Sequence, residues 1–195
     1  MDRLQKYYKE SLMNNLCQEY KGMWQSAFHD RLSLVRLSLA QQSIPHVATY
    51  AYKRIGLTKE YITKNFPDYI NGYTVHDADG VEGYTYGLFV DYDFDNDIIA
   101  DKDVIHIMWT VGATVVIPKT KCPTVYVSNK SKVHLVCEGF NSIKVYIFDE
   151  SEVTIEDADV DTSVTVFRYS DDAKVNIGRF CLSEKVKDFR KQLKL

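Results

Sequence analysis

Residues 91–103, DYDFDNDIIADKD, set Asp91, Asp93, Asp95 and Asp97 at alternate positions. Carboxylates spaced in this way suit a calcium loop, because a hard cation collects several oxygen ligands from one short stretch. The EF-hand template then fails twice: Asn96 stands at the central glycine position and Lys102 at the terminal glutamate position. A solvated acidic loop competes with the metal reading, since alternating acids also keep a strand edge from pairing with another chain. HDADG at 76–80 brings Asp77, Asp79 and Gly80 without the end ligands. A second carboxylate group, Glu156, Asp157 and Asp159, resembles in type the acid pair of a glycosidase or lyase. Its crowding into one turn suits exposed turn chemistry as well. The histidines (His29, His46, His76, His106 and His134) form no close ligand pair. No GxSxG, Walker loop or GxGxxG is present, so neither nucleophilic nor nucleotide chemistry is implied. Cys17, Cys122, Cys137 and Cys181 lack CxxC spacing. They read as reduced thiols of a cytoplasmic protein rather than as a zinc site. No cofactor is expected.

A different kind of site is offered by aromatics. Tyr126 and Tyr146 fall at equivalent outward strand positions, with Phe148 beside them. Stacked aromatics of this kind form a binding stripe for a protein or a sugar, or else they pack beneath another part of the chain.

The elements that must position these residues come from a repeat. VGATVVI (111–117), NKSKVHL (129–135), DESEVTI (149–155) and DDAKVNI (171–177) align. Each has a small residue (Ala113, Ser131, Ser151, Ala173), then a valine, then an aliphatic residue at alternating positions. The valines, Val115, Val133, Val153 and Val175, are 18, 20 and 22 residues apart. A second strand precedes each, with Ile107 and Trp109, Val125 and Val127, Val145 and Ile147, and Val164 and Val166 facing inward by alternation. Steps near ~20 residues with two strands each are the signature of stacked coils. The expected fold is therefore α+β, a helical head capping a short parallel β-solenoid of about four coils, with the four valines in one interior column. An antiparallel sandwich is the competing fold. Lys132, Glu152 and Lys174 should stack outward as plus, minus, plus, and His134 should lie under Thr154 and Asn176.

The chain divides on this reading into a helical head (1–72), an acidic connector with a degenerate first coil around Leu88 and Val90 (73–103), the solenoid (104–178) and a basic cap (179–195). In the head, Asp30 caps one helix, Pro45 opens another and Gly56 closes it; Thr58 caps a short helix that Pro67 stops. NGY at 71–73 turns the chain into β structure. The tail reads as a short helix begun by Ser183. Charge follows the division: residues 77–103 hold nine acids and one lysine, whereas the whole chain is at −3. That balance argues against a dedicated nucleic-acid binder, and the absence of a long apolar run argues against a membrane span.

The stretches GLTKEYITKNFPDYINGY (56–73), DGVEGYTYGLFVDYD (79–93) and YVSNKSKVHLVCEGFNSIKVYIFDESEVTIEDAD (126–159) are similar to a group of uncharacterised proteins from gut Bacteroidales genomes and their phages or mobile elements. The resemblance implies a cytoplasmic or phage-encoded setting and carries no catalytic motif. The expected function is a non-enzymatic binding or assembly protein that takes a protein partner or a second copy of itself. A small carbohydrate-active β-helix enzyme and a DNA-binding regulator are the alternatives.

Overall fold

The computed structural model describes residues 5–6, 8–9, 21–22, 24, 58–72, 74–76, 85–92, 95–139, 142–157, 162–178 and 183–188. The helices expected around Asp30, Pro45 and Gly56, the HDADG acids, Asp93 and Asp159 lie outside them. So does most of the helical head, of which Gln5, Lys6, Tyr8, Lys9, Lys21, Gly22 and Trp24 are described and helical.

One short helix, α1 (Lys59–Asn65), begins as its sequence predicts, with the Thr58 hydroxyl accepting the Tyr61 N–H. A 3-10 turn at Pro67–Tyr69 follows directly, since proline cannot extend the helical bonding. From there the chain is β: β1 (Thr74–His76), β2 (Thr85–Val90), β3 (Ile98–Ile99), β4 (Val104–Met108), β5 (Val111–Ile117), β6 (Thr124–Ser128), β7 (Lys132–Cys137), β8 (Ser142–Ile147), β9 (Glu152–Asp157), β10 (Ser163–Arg168), β11 (Lys174–Ile177) and β12 (Ser183–Asp188). They form a seven-stranded sheet, β1-β2-β4-β6-β8-β10-β12, and a five-stranded sheet, β11-β9-β7-β5-β3. Every pairing is parallel except β1 on β2. A sandwich would pair neighbours in sequence antiparallel. Here each strand pairs with the one two places on, so the chain winds as a parallel β-solenoid. Four coils, β4–β5 to β10–β11, stand on a shorter first coil, β2–β3.

Between the sheets the alternation of strand side chains builds continuous aliphatic columns. From the five-stranded sheet come Ile98–Val115–Leu135–Ile155–Ile177 and Ala113–Val133–Val153–Val175. The seven-stranded sheet supplies Phe89–Ile107–Val127–Ile147 and Ile105–Val125–Val145–Val166. Most of these side chains are fully excluded from water. The single valine column expected from the repeat is corrected by one member: Ala113, and not Val115, lies under Val133, while Val115 lies under Leu135. Ala113 matches the small corner residue in type, and a one-residue bulge hides the true one, Thr110. The β5–β7 register shifts between Val111 and Ala113, and Gly112 there takes φ 90°, a conformation that costs glycine least. With this register the steps become 20, 20 and 22 residues. The second-strand pattern is corrected in the same coil, where Ile105 and Ile107 point inward while Trp109, at φ 52°, has already left β4.

The small-residue column lies at the corner between the sheets, and its lowest member is Thr110 rather than Ala113. Thr110, Ser131, Ser151 and Ala173 are all buried. The hydroxyls of Thr110, Ser131 and Ser151 satisfy backbone groups one coil below. Tyr92 N–H donates to Thr110 Oγ1 at 3.2 Å, Thr110 N–H to Ser131 Oγ at 3.1 Å, and Ser131 N–H to Ser151 Oγ at 3.2 Å. Ser131→Ala removes one of these acceptors and strands a buried N–H, so a loss of about 1–3 kcal/mol is expected. Urea unfolding checks it, with Ser128→Ala, near the same corner, as the control. Next to this corner the chain repeats a left-handed residue in successive coils: Asp91, Trp109, Asn129 and Asp149 have φ of 49°, 52°, 60° and 49°. Asp149 fulfils the expected turn role, its carboxylate accepting the N–H groups of Asn129 and Lys130 and the hydroxyl of Ser151.

The base of the stack is finished by side chains, and a further strand is laid on its top. At the base, Phe89 meets Tyr92 edge-on at 5.4 Å. The Lys102 stem fills the space that Gly87 leaves in the Ile105 column, with its ammonium on Asp101. Lysine can do this because its methylenes bury while its head reaches water. The free edge of β2 is covered by β1 and by Asn71, whose side chain bonds both the N–H and the C=O of Val90. Such cover blocks pairing with other chains. At the top, the helix expected from Ser183 is corrected: Ser183–Asp188 is β12, laid in parallel register on β10. A charged segment with helical periodicity becomes a strand because β10 offers it an open ladder.

Candidate functional site: the two outer faces of the solenoid

The outer side of the seven-stranded sheet carries a ladder of rings. His106, Tyr126, Tyr146 and Phe167 are in register on β4, β6, β8 and β10. Their centroids are 4.7, 4.7 and 4.4 Å apart and their planes lie within 11° of parallel. Phe148 and Tyr169 form a second column beside it, stacked at 4.8 Å. The spacing follows from the strand separation of a parallel sheet, about 4.8 Å, which holds stacked rings at contact distance. Sequence reasoning found Tyr126, Tyr146 and Phe148 but missed His106, Phe167 and Tyr169. The same step of about one coil, counted down from Tyr126 and up from Tyr146 and Phe148, would have found all three.

The ladder is packed rather than displayed. Tyr126 is 6% exposed, Phe148 2% and Tyr169 4%, with Tyr146 half-buried at the rim. Trp24, Ile62 and Phe66 join the same apolar cluster, with Tyr8, Tyr61, Tyr69 and Ile70 packed against it. Leu88 and Val90, on β2, belong to this cluster, while Phe89 between them points into the solenoid. The interior rings have both faces occupied by neighbouring rings, so no sugar or base can stack on them. Burial has electrostatic consequences. It pushes the His106 imidazole down to about 3 and the Tyr126 hydroxyl above the usual tyrosine range, with Tyr146, Tyr169 and Tyr86 adding to the effect. Burial, then Tyr146, pushes Tyr169 up to about 12.

The outer side of the five-stranded sheet is different. Three columns run up it: Val111–Lys132–Glu152–Lys174, Thr114–His134–Thr154–Asn176 and Ile99–Val116–Val136–Glu156. All are exposed or half-buried. The expected charge alternation is present, with Lys132 Nζ 3.8 Å from Glu152 and, at the adjoining turn, Lys130 Nζ 2.9 Å from Glu150. His134 Nε2 lies 3.3 Å from Glu156 Oε1. Exposed pairs of this type add little stability, so their regularity matters for what the surface offers.

Among the described residues the acids do not converge. Asp91 is engaged by Lys59 at 2.9 Å, and Asp95 and Asp97 are exposed at the entry to β3. Asp103 binds the N–H and hydroxyl of Thr85. The Thr85 N–H holds its carboxyl below the usual carboxylate range against the opposing effect of burial. Among the described residues no three His, Cys, Asp or Glu side chains are grouped to hold a metal, and no helix is long and apolar enough to cross a membrane. The fold and surface thus define a class: a short parallel β-solenoid with one outer face packed by aromatics and the other ribbed with polar and charged columns. Comparison with protein-family models, curated proteins and solved structures finds no match to this chain.

Proposed function

We propose that this chain is a non-enzymatic binding or assembly protein that presents the outer face of its five-stranded sheet to a protein partner. The observation that carries the reading is the contrast between the faces: one is buried under the chain's own aromatics, while the other holds three aligned columns in water. A parallel ladder fixes these columns at regular spacing, so a partner meets a surface whose side chains are already ordered and loses less entropy on binding. The role proposed is an accessory one in a Bacteroidales genome or one of its phages or mobile elements, the setting that the resemblance of 56–73, 79–93 and 126–159 implies. A photo-crosslinking residue at position 154, mid-column on this face, is expected to capture a discrete protein from a Bacteroidales lysate. The same residue at position 144, on the opposite sheet, should not. Turnover of a polysaccharide that is lost in Glu156→Gln would overturn the reading.

A further inference from the structure

The outer face of the five-stranded sheet changes character from rung to rung. Ile99 on β3 and Val111 on β5 are 49% and 58% exposed, and they are the exposed large hydrophobics among the described residues. Val116 on β5 and Val136 on β7 continue the Ile99 column. One rung below β5, the exposed Asp95 and Asp97 lead into β3; one rung above it, the exposed Lys132 opens β7. Acid therefore lies on one side of β5, base on the other, and aliphatic side chains lie between.

A surface with that order is complementary to itself when turned end over end. A two-fold axis running along β5 sets Val116 against the second copy's Val116 and Ile99 against the second copy's Val136. It also places Lys132 opposite the second copy's acidic entry to β3. Isologous contacts of this kind need a patch to match its own reversal, and the reversal here matches in both charge and apolarity. We propose that the partner of these lower rungs is a second copy of the chain, packed face to face about this axis. The inference rests on the reading of this face as a binding surface and names its occupant.

Three rungs at about 4.8 Å and a seven-residue strand at about 3.3 Å per residue give a footprint of about 300 Å² per copy. A standard interface buries roughly 800 Å² per partner, so an association through this smaller footprint is weak and reversible.

Sedimentation equilibrium of the purified full chain at low salt, from about 10 µM to about 1 mM, tests it, with circular dichroism confirming that each variant keeps its strands. Val116→Asp, at the centre of the contact, should weaken the dimer by about tenfold or more. Lys132→Glu should weaken it as well, and adding Asp95→Lys and Asp97→Lys to Lys132→Glu should restore it. A chain that stays monomeric throughout, or a dimer indifferent to Val116→Asp, would overturn the proposal. If that chain still captures another protein through position 154, the face is a binding surface for a different occupant; if it captures nothing, the functional reading falls as well.

Discussion

Acidification from about pH 6.5 to about pH 3 should cost the native protein on the order of 4 kcal/mol that a His106→Phe variant does not lose. The unfolded imidazole takes its proton near 6.5, the folded one only near 3. Between those values the unfolded state binds more protons, so stability falls as the pH falls. The contribution is complete above about 6.5 and exhausted near 3. Its cause is desolvation: His106 is 3% exposed and stacks on Tyr126 at 4.7 Å, and burial disfavours the charged ring. Phenylalanine suits the column because Phe167 already occupies it two coils above Tyr126. Urea denaturation of both proteins at pH 7, 5 and 4 isolates the effect, since the carboxylates titrate alike in each. Parallel stability curves would mean that the ring is not buried as described.

Leu135→Ala is the second large effect. Leu135 is fully buried in the column between Val115 and Ile155, with ordered side chains above and below that cannot close a gap. A loss of about 2–5 kcal/mol follows from the missing transfer energy and the cavity left behind. Ile177→Ala deletes the same kind of side chain from the same column on β11, where it is only half-buried. It should cost less than half as much, because water already reaches the site. Midpoints of urea unfolding decide between them, and equal losses would show that the columns do not hold the stack together.

Much of this was legible in the sequence, for a physical reason. Parallel coils repeat their environment once per turn, so Val133, Val153 and Val175 had to be of one type, as did Lys132, Glu152 and Lys174 with their alternating charge. The first coil was misread where local geometry broke the repeat. Ala113 imitates the small corner residue, so VGATVVI matched its neighbours two residues out of register, and the one-residue bulge at Gly112 hid the true corner residue, Thr110. Trp109 looked like an inward aromatic because nothing in its type announces a left-handed turn. Charge and helical spacing in residues 183–188 gave no sign of the open ladder on β10 that receives them. The aromatic column itself was readable from Tyr126 and Tyr146. Its burial was not, because the cover includes Trp24, Ile62 and Phe66, far away in the chain and invisible to any repeat.

The coils differ in length: in-register partners stand 17 residues apart from Ile98 to Val115, 20 from Val133 to Val153, 21 from Val145 to Val166 and 22 from Val153 to Val175. Odd and even steps alike return each side chain to its own side of the sheet, because the connections between strands take up the difference. Only a residue gained or lost inside a strand, with no bulge to absorb it, would exchange wet and dry positions along it. Insertions and deletions are therefore tolerated singly at the connections, while the strands themselves can drift only by substitution.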